Sequence, residues 1–130
     1  MTDRICVLGA GAVGGHIAAR LSSAGVAVSI IARGATLAAV RRDGLRLTRG
    51  DETIVTRPTA TDTPAELGVQ DVLIVSVKFP QLAEALASAA PLIGPKTLVV
   101  FAINGLPWWF LDGTALAGNE ALQAQLDPGG

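Results

Sequence analysis

The sequence predicts an α/β domain with a parallel sheet, helices on both of its faces, and a β-hairpin in addition. Three observations predict it. Short apolar runs alternate with segments of helical period, and strands that alternate with helices pair in parallel through right-handed crossovers. Glycines cluster where the first apolar run meets the first helical segment. Half of the 130 residues are hydrophobic and only 16% are charged, which excludes a disordered chain and supplies one core without disulfides or metal.

Arg4–Leu8 is short, apolar and ends at the glycines, so it reads as a buried strand. From Ala12 to Ala24 the spacing becomes helical, with Val13, Ile17 and Leu21 on the expected core stripe and His16, Arg20 and Ser23 on the polar one. Gly25 follows as a helix stop. Val26–Ala32 is rich in β-branched residues and reads as the second strand, and Ala35–Arg42 as a short helix closed by Gly44. Leu45–Arg49 and Thr53–Arg57 alternate around Gly50-Asp51, the signature of a hairpin. Thr63-Pro64 begins a helical turn before Gly68. Asp71–Val77 is a third buried strand, Pro80 suits the first turn of a helix reaching about Ala90, and Thr97–Ile103 is a fourth strand. Beyond Asn104-Gly105 regularity fades, with a weak helix expected over Gly118–Leu126.

Composition removes several classes of function. A net charge of −1 argues against a general nucleic-acid or anionic-membrane partner. The single cysteine, Cys6, excludes an internal disulfide and lies inside the first strand as a small buried hydrophobe. His16 has no companion ligand, so no metal site is expected. No run approaches the roughly 18 apolar residues of a membrane span. Ile5–Ala19 loosely resembles a secretory signal, but its glycines and the lone Arg4 offset by Asp3 fit a cytoplasmic chain better. Charge is uneven: residues 33–57 hold six arginines against three acids, a candidate anion site or a solvated face.

The residues Gly9-Ala10-Gly11-Ala12-Val13-Gly14 form a complete G-x-G-x-x-G between a strand and a helix. In that position Gly9 permits the tight turn, Gly11 lets the backbone approach a pyrophosphate, and Gly14 lets the helix pack on the strand. The helix's first amides and positive dipole end then face the phosphates. Sites for NAD usually place an acid after the second strand, to bind the ribose hydroxyls. Here that strand ends in Arg33, whose guanidinium suits a 2′-phosphate, so the expected cofactor is NADP(H). Lys78 and Asn104 follow the two later strands, at the carboxyl ends where open α/β sheets bind ligands.

The first 110 residues closely resemble the N-terminal, Rossmann-type domain of ketopantoate reductases, also called 2-dehydropantoate 2-reductases. The resemblance rests on Ile5–Gly14, Ala32-Arg33-Gly34, Val75-Ser76-Val77-Lys78 and Asn104-Gly105, with the run Asn104–Phe110 similar to a loop in some members. It implies that Gly9, Ala10, Gly11, Ala12, Val13 and Gly14 hold the pyrophosphate and Arg33 the 2′-phosphate. It further implies that Lys78 contacts bound NADP and that Asn104 sits beside the nicotinamide and touches a keto acid substrate. The implied reaction reduces 2-dehydropantoate to pantoate, a step of pantothenate biosynthesis.

Members of the family continue into a helical C-terminal domain that supplies the catalytic residues, and no residue of this chain matches those positions. Residues 111–130 are accordingly expected to be a loop and weak helix leading towards that domain or a second subunit. Trp108 and Trp109 either wall a pocket near the nicotinamide or pack against that missing part. Two alternatives stand beside this reading. One is a stand-alone nucleotide-sensing Rossmann module, which Lys78 and the Asn104 loop disfavour. The other is a related NADP reductase with another substrate.

Overall fold

A computed structural model describes residues 3–105 and 108–126. Strand β1 (Ile5–Leu8) runs up the centre and helix α1 (Ala12–Ser23) returns to β2 (Val28–Ile31). Helix α2 (Gly34–Asp43) follows, then a hairpin of β3 (Leu45–Arg49) and β4 (Glu52–Thr56), and a short strand β5 (Thr59–Thr61). After a 3-10 turn at Pro64–Glu66 come β6 (Val72–Val75), α3 (Leu82–Ala89) and β7 (Leu98–Phe101). A 3-10 turn at Trp108–Leu111 and helix α4 (Glu120–Leu126) close the described chain.

The main sheet has the order β5-β2-β1-β6-β7, and every pairing in it is parallel. The chain leaves β1 in one direction for β2 and later returns to the other side of β1 for β6. A topological switch point therefore lies between β1 and β6, where such sheets open a crevice.

Alternation along the strands assigns the two faces. Cys6, Leu8, Leu73 and Val75 point into a core closed by Leu82, Ala85 and Ala89 of α3 and by Leu92. Val7, Val28 and Ile30 point the other way, onto Ala18 and Ala19 of α1, Leu37 and Val40 of α2, and Leu45 of the hairpin. Helices thus cover both faces, as right-handed crossovers from β1 to β2 and from β6 to β7 require. Outer strand β7 packs Val99 and Phe101 on the α3 side and leaves Leu98 and Val100 exposed. Among the described residues, no helix is long and apolar enough to cross a membrane.

Three expectations need correction. The strand β5 was not expected, because Thr59–Thr61 is three residues long, polar at two of them and follows Pro58. It is ordered by pairing: Ser29, Ile30 and Ile31 of β2 stand opposite it. The stripe of α1 is also rotated from the expected one. Val13 is exposed, Ile17 and Leu21 are half-buried, and the face against the sheet is Gly14, Ala18 and Ala19. Small side chains take that face because they let the helix approach the strands closely. Finally, the strands are shorter than the apolar runs: β2, β6 and β7 each occupy four residues, with flanking residues such as Ala32 buried beyond the ladder. The hairpin forms as expected around Gly50-Asp51, but its second strand begins one residue earlier, at Glu52, which stands opposite Arg49.

Candidate functional site

A cleft of about 350 Å³ opens at the carboxyl ends of β1, β2 and β6, over the switch point. Its floor is Leu8 and the turn Gly9-Ala10-Gly11, one wall is Ile31 to Arg33 with Thr36, and the other is Ser76 to Lys78 with Gln81, Glu84 and Ala85. That volume lies within the range of small-molecule pockets, roughly 300–1,000 Å³.

The turn is built by backbone constraint. Gly9 has φ +100°, a conformation that side chains other than glycine's rarely adopt, and its N–H donates to Ile31 O at 3.0 Å. A Cβ on Gly14 would collide with Gly9 O and with Ser76 Oγ, so glycine is needed there for close approach. Gly11 is different. It is the N-cap of α1 with ordinary φ, and a Cβ placed on it meets nothing within 4 Å. The space beside Gly11, which lines the cleft, is therefore open, as a backbone cradle for a phosphate group requires. The first amides of α1 have no intrahelical acceptor and lie at the positive end of its dipole.

Ser76 joins the two sides of the switch point. Its N–H donates to Leu8 O at 3.0 Å, and its hydroxyl donates to Gly9 O at 2.9 Å. Bonding of β6 to the glycine turn thus continues past the end of the ladder. Neither serine frequency nor spacing singles this residue out, since its partner is 67 positions away.

Arg33 ends the wall that begins at Ile31 and is the N-cap of α2, with its side chain exposed. Its guanidinium reaches across to α3, where Nη1 donates to Glu84 Oε1 at 2.8 Å and Nη2 to Ser88 Oγ at 3.4 Å. Lys78 is exposed at the lip, immediately before a 3-10 turn over Phe79–Gln81 that includes Pro80. Asn104 is exposed three residues after β7. The neighbouring Gly105, with φ +121°, lies against the Phe79 ring, which brings the Asn104 turn beside the Lys78 segment.

Of the residues expected to bind cofactor, Gly9, Ala10, Gly11, Arg33 and Lys78 line the cleft. Ala12, Val13 and Gly14 form the first turn of α1 beside it, and Asn104 stands outside its lining. The arginine-rich segment does not gather into one anion site. Arg42 pairs with Asp43 on the α2 surface, Arg41 donates to Ala60 O, and Arg57 to Arg42 O, so Arg33 is the one arginine of that segment lining the cleft. Hydrogen bonding to Arg42 lowers the Asp43 carboxyl from its ordinary range, a surface effect away from the cleft. Cys6 is fully buried, and burial pushes its thiol up, away from the reactive thiolate. The expectations for Trp108 and Trp109 fall on side chains outside the described residues.

A parallel sheet with this strand order, a glycine turn at its switch point and a helix N-terminus beside the cleft define a dinucleotide-binding domain of the Rossmann type. The family model for ketopantoate reductase PanE/ApbA matches residues 5–108, and the chain belongs to this family. A 2-dehydropantoate 2-reductase of Mesorhizobium japonicum is 41% identical over 128 residues, covering 98% of this chain and 39% of the relative. A solved structure from Ralstonia solanacearum, assigned as a ketopantoate reductase, superposes with a TM-score of 0.85 at 48% identity, over 97% of this chain and 42% of that one. The 2-dehydropantoate 2-reductase of Porphyromonas gingivalis gives a TM-score of 0.76 at 33% identity, over 88% and 44%. The chain thus spans about two-fifths of the length of these relatives. The family is one of reductases with a nucleotide-binding fold that use a nicotinamide cofactor.

Proposed function

We propose that this chain is the NADP(H)-binding domain of a reductase acting on a 2-keto acid, and that the keto acid is 2-dehydropantoate, reduced to pantoate. The observation that carries the reading is the meeting of the glycine turn and Arg33 in one cleft over the switch point. The open space at Gly11 and the close approach at Gly14 fit a pyrophosphate laid on the start of α1. Gly9 to Gly14 hold that group, and Arg33 binds the 2′-phosphate through charge-assisted hydrogen bonds. Lys78 offsets the charge of the bound dinucleotide at the lip. Asn104, with a donor and an acceptor on one planar group, orients the carboxamide of the nicotinamide or the carboxylate of the keto acid.

When bound, the cofactor supplies the hydride. The alkoxide that then develops needs an acid; of the ionisable groups lining the cleft, we assign Lys78 to the charge of the cofactor, while Glu84 is paired with Arg33. His16 is exposed on α1 near the hairpin rather than in the cleft. We assign the acid and the shielding from water to a helical domain or second subunit, approached through residues 111–126. We place the protein in the cytoplasm, with its cofactor and substrate.

The test is NADPH oxidation with 2-dehydropantoate, followed by absorbance. The chain alone should bind NADPH and show no turnover. Joined to the remaining portion of the Mesorhizobium relative, it should turn over. Turnover by the chain alone would mean that an acid lies within it. Binding without turnover in the joined protein would return the assignment to a sensing module.

A further inference from the structure

The partner of Arg33 carries an inference that rests on the cofactor reading above. Glu84 is the one acidic residue lining the cleft among the described residues. It lies in the first turn of α3, on the face it shares with Ser88 one turn later, and both side chains meet the Arg33 guanidinium. Ser88 donates its own hydroxyl proton to Ala85 O, which leaves its lone pairs for Arg33. The arginine expected to take a 2′-phosphate is thus held by a carboxylate at 2.8 Å. Gln81 and Ala85, the other α3-side residues of the lining, bring no charge.

We propose that Glu84 is a specificity-determining residue, setting how strongly the site distinguishes a 2′-phosphorylated dinucleotide from one with free ribose hydroxyls. It acts in two ways. A 2′-phosphate must take the guanidinium from Glu84, and it must then sit beside a like charge. A ribose with free hydroxyls meets neither cost, and its hydroxyls can donate to the carboxylate. Glu84 therefore brings from α3 the acceptor that NAD sites usually carry at the end of the second strand. The site is Arg-based for one cofactor and Glu-based for the other, and wild type discriminates less than Arg33 alone would dictate.

The two side chains of the pair are 57% and 75% exposed, so each effect is modest. Together they should amount to about fivefold to tenfold in affinity, or roughly 1.0–1.4 kcal/mol. The experiment is calorimetric titration of the chain with NADPH and with NADH, for wild type, Glu84→Gln and Glu84→Ala. Both substitutions should tighten NADPH by that factor and leave NADH unchanged or slightly weaker. The gain should shrink as salt screens exposed charges. Thermal melting checks that an exposed substitution leaves the fold intact. Equal tightening of both dinucleotides, or an unaltered NADPH affinity, would overturn the role of Glu84 while leaving the cofactor site standing. Binding of neither dinucleotide by any of the proteins would overturn the cofactor reading and this inference with it.

Discussion

The Gly9–Gly14 turn and the rim residues Arg33 and Lys78 meet at the same cleft, with Asn104 outside its lining, yet turn and rim are held in different ways. The turn is fixed from several sides by Ile31 O on Gly9 N–H, by the Ser76 hydroxyl on Gly9 O, and by the contact of Gly14 with both Gly9 and Ser76. The rim is made of exposed side chains, and Arg33 is placed by an exposed ion pair. Backbone geometry therefore fixes the turn, and at Gly9 and Gly14 it cannot change without disturbing the strand junction. The rim side chains, to which we assign the choice among dinucleotides, are exposed and can be exchanged at little cost to the fold.

Two glycines of the turn should break this comparison in opposite ways. Gly11→Asp should have the larger effect on function and abolish NADPH binding, since its side chain enters the phosphate space with negative charge. The fold should tolerate it, because nothing lies within 4 Å of that Cβ and Asp is a favoured N-cap residue. Calorimetry and a melting curve together check both halves. Loss of the fold, or retained affinity, would contradict the assignment of Gly11.

Gly14→Ala should do the reverse. Alanine gains about 1 kcal/mol of helix propensity over glycine. The collision with Gly9 O, a backbone atom, should outweigh that gain, with a net loss of about 1–3 kcal/mol typical of overpacking. Denaturant unfolding reads the loss directly, and a stabilised variant would mean that α1 stands further from the sheet than the structure has it.

The glycine turn was legible in the sequence because its geometry is local. Six consecutive residues between a strand and a helix carry it, and each glycine has its own steric reason. Arg33 was legible from position alone, as the residue where an acid is usual. Its hold by Glu84 was not, since the two are 51 residues apart and only the crossover of α3 brings them together. The role of Ser76 was not legible, because a serine at a strand end gives no sign that it bonds the first turn of the chain. The strand β5 was missed for a related reason: Thr59–Thr61 has little strand character of its own and is made a strand by β2. In α1, periodicity pointed to the large residues, while the tight junction demanded the small ones.

The claim that this cleft takes a 2′-phosphorylated dinucleotide at Arg33 is tested most directly by one paired titration. Wild type and Arg33→Ala are titrated with NADPH and with NADH under identical salt. The account predicts that wild type binds NADPH more tightly, and that the substitution removes about 1.5–3 kcal/mol from NADPH, the range for hydrogen bonds to charged groups. NADH should lose little, because its ribose makes no demand on the guanidinium. Equal losses for both cofactors would contradict the account and leave Arg33 as a clasp between α2 and α3.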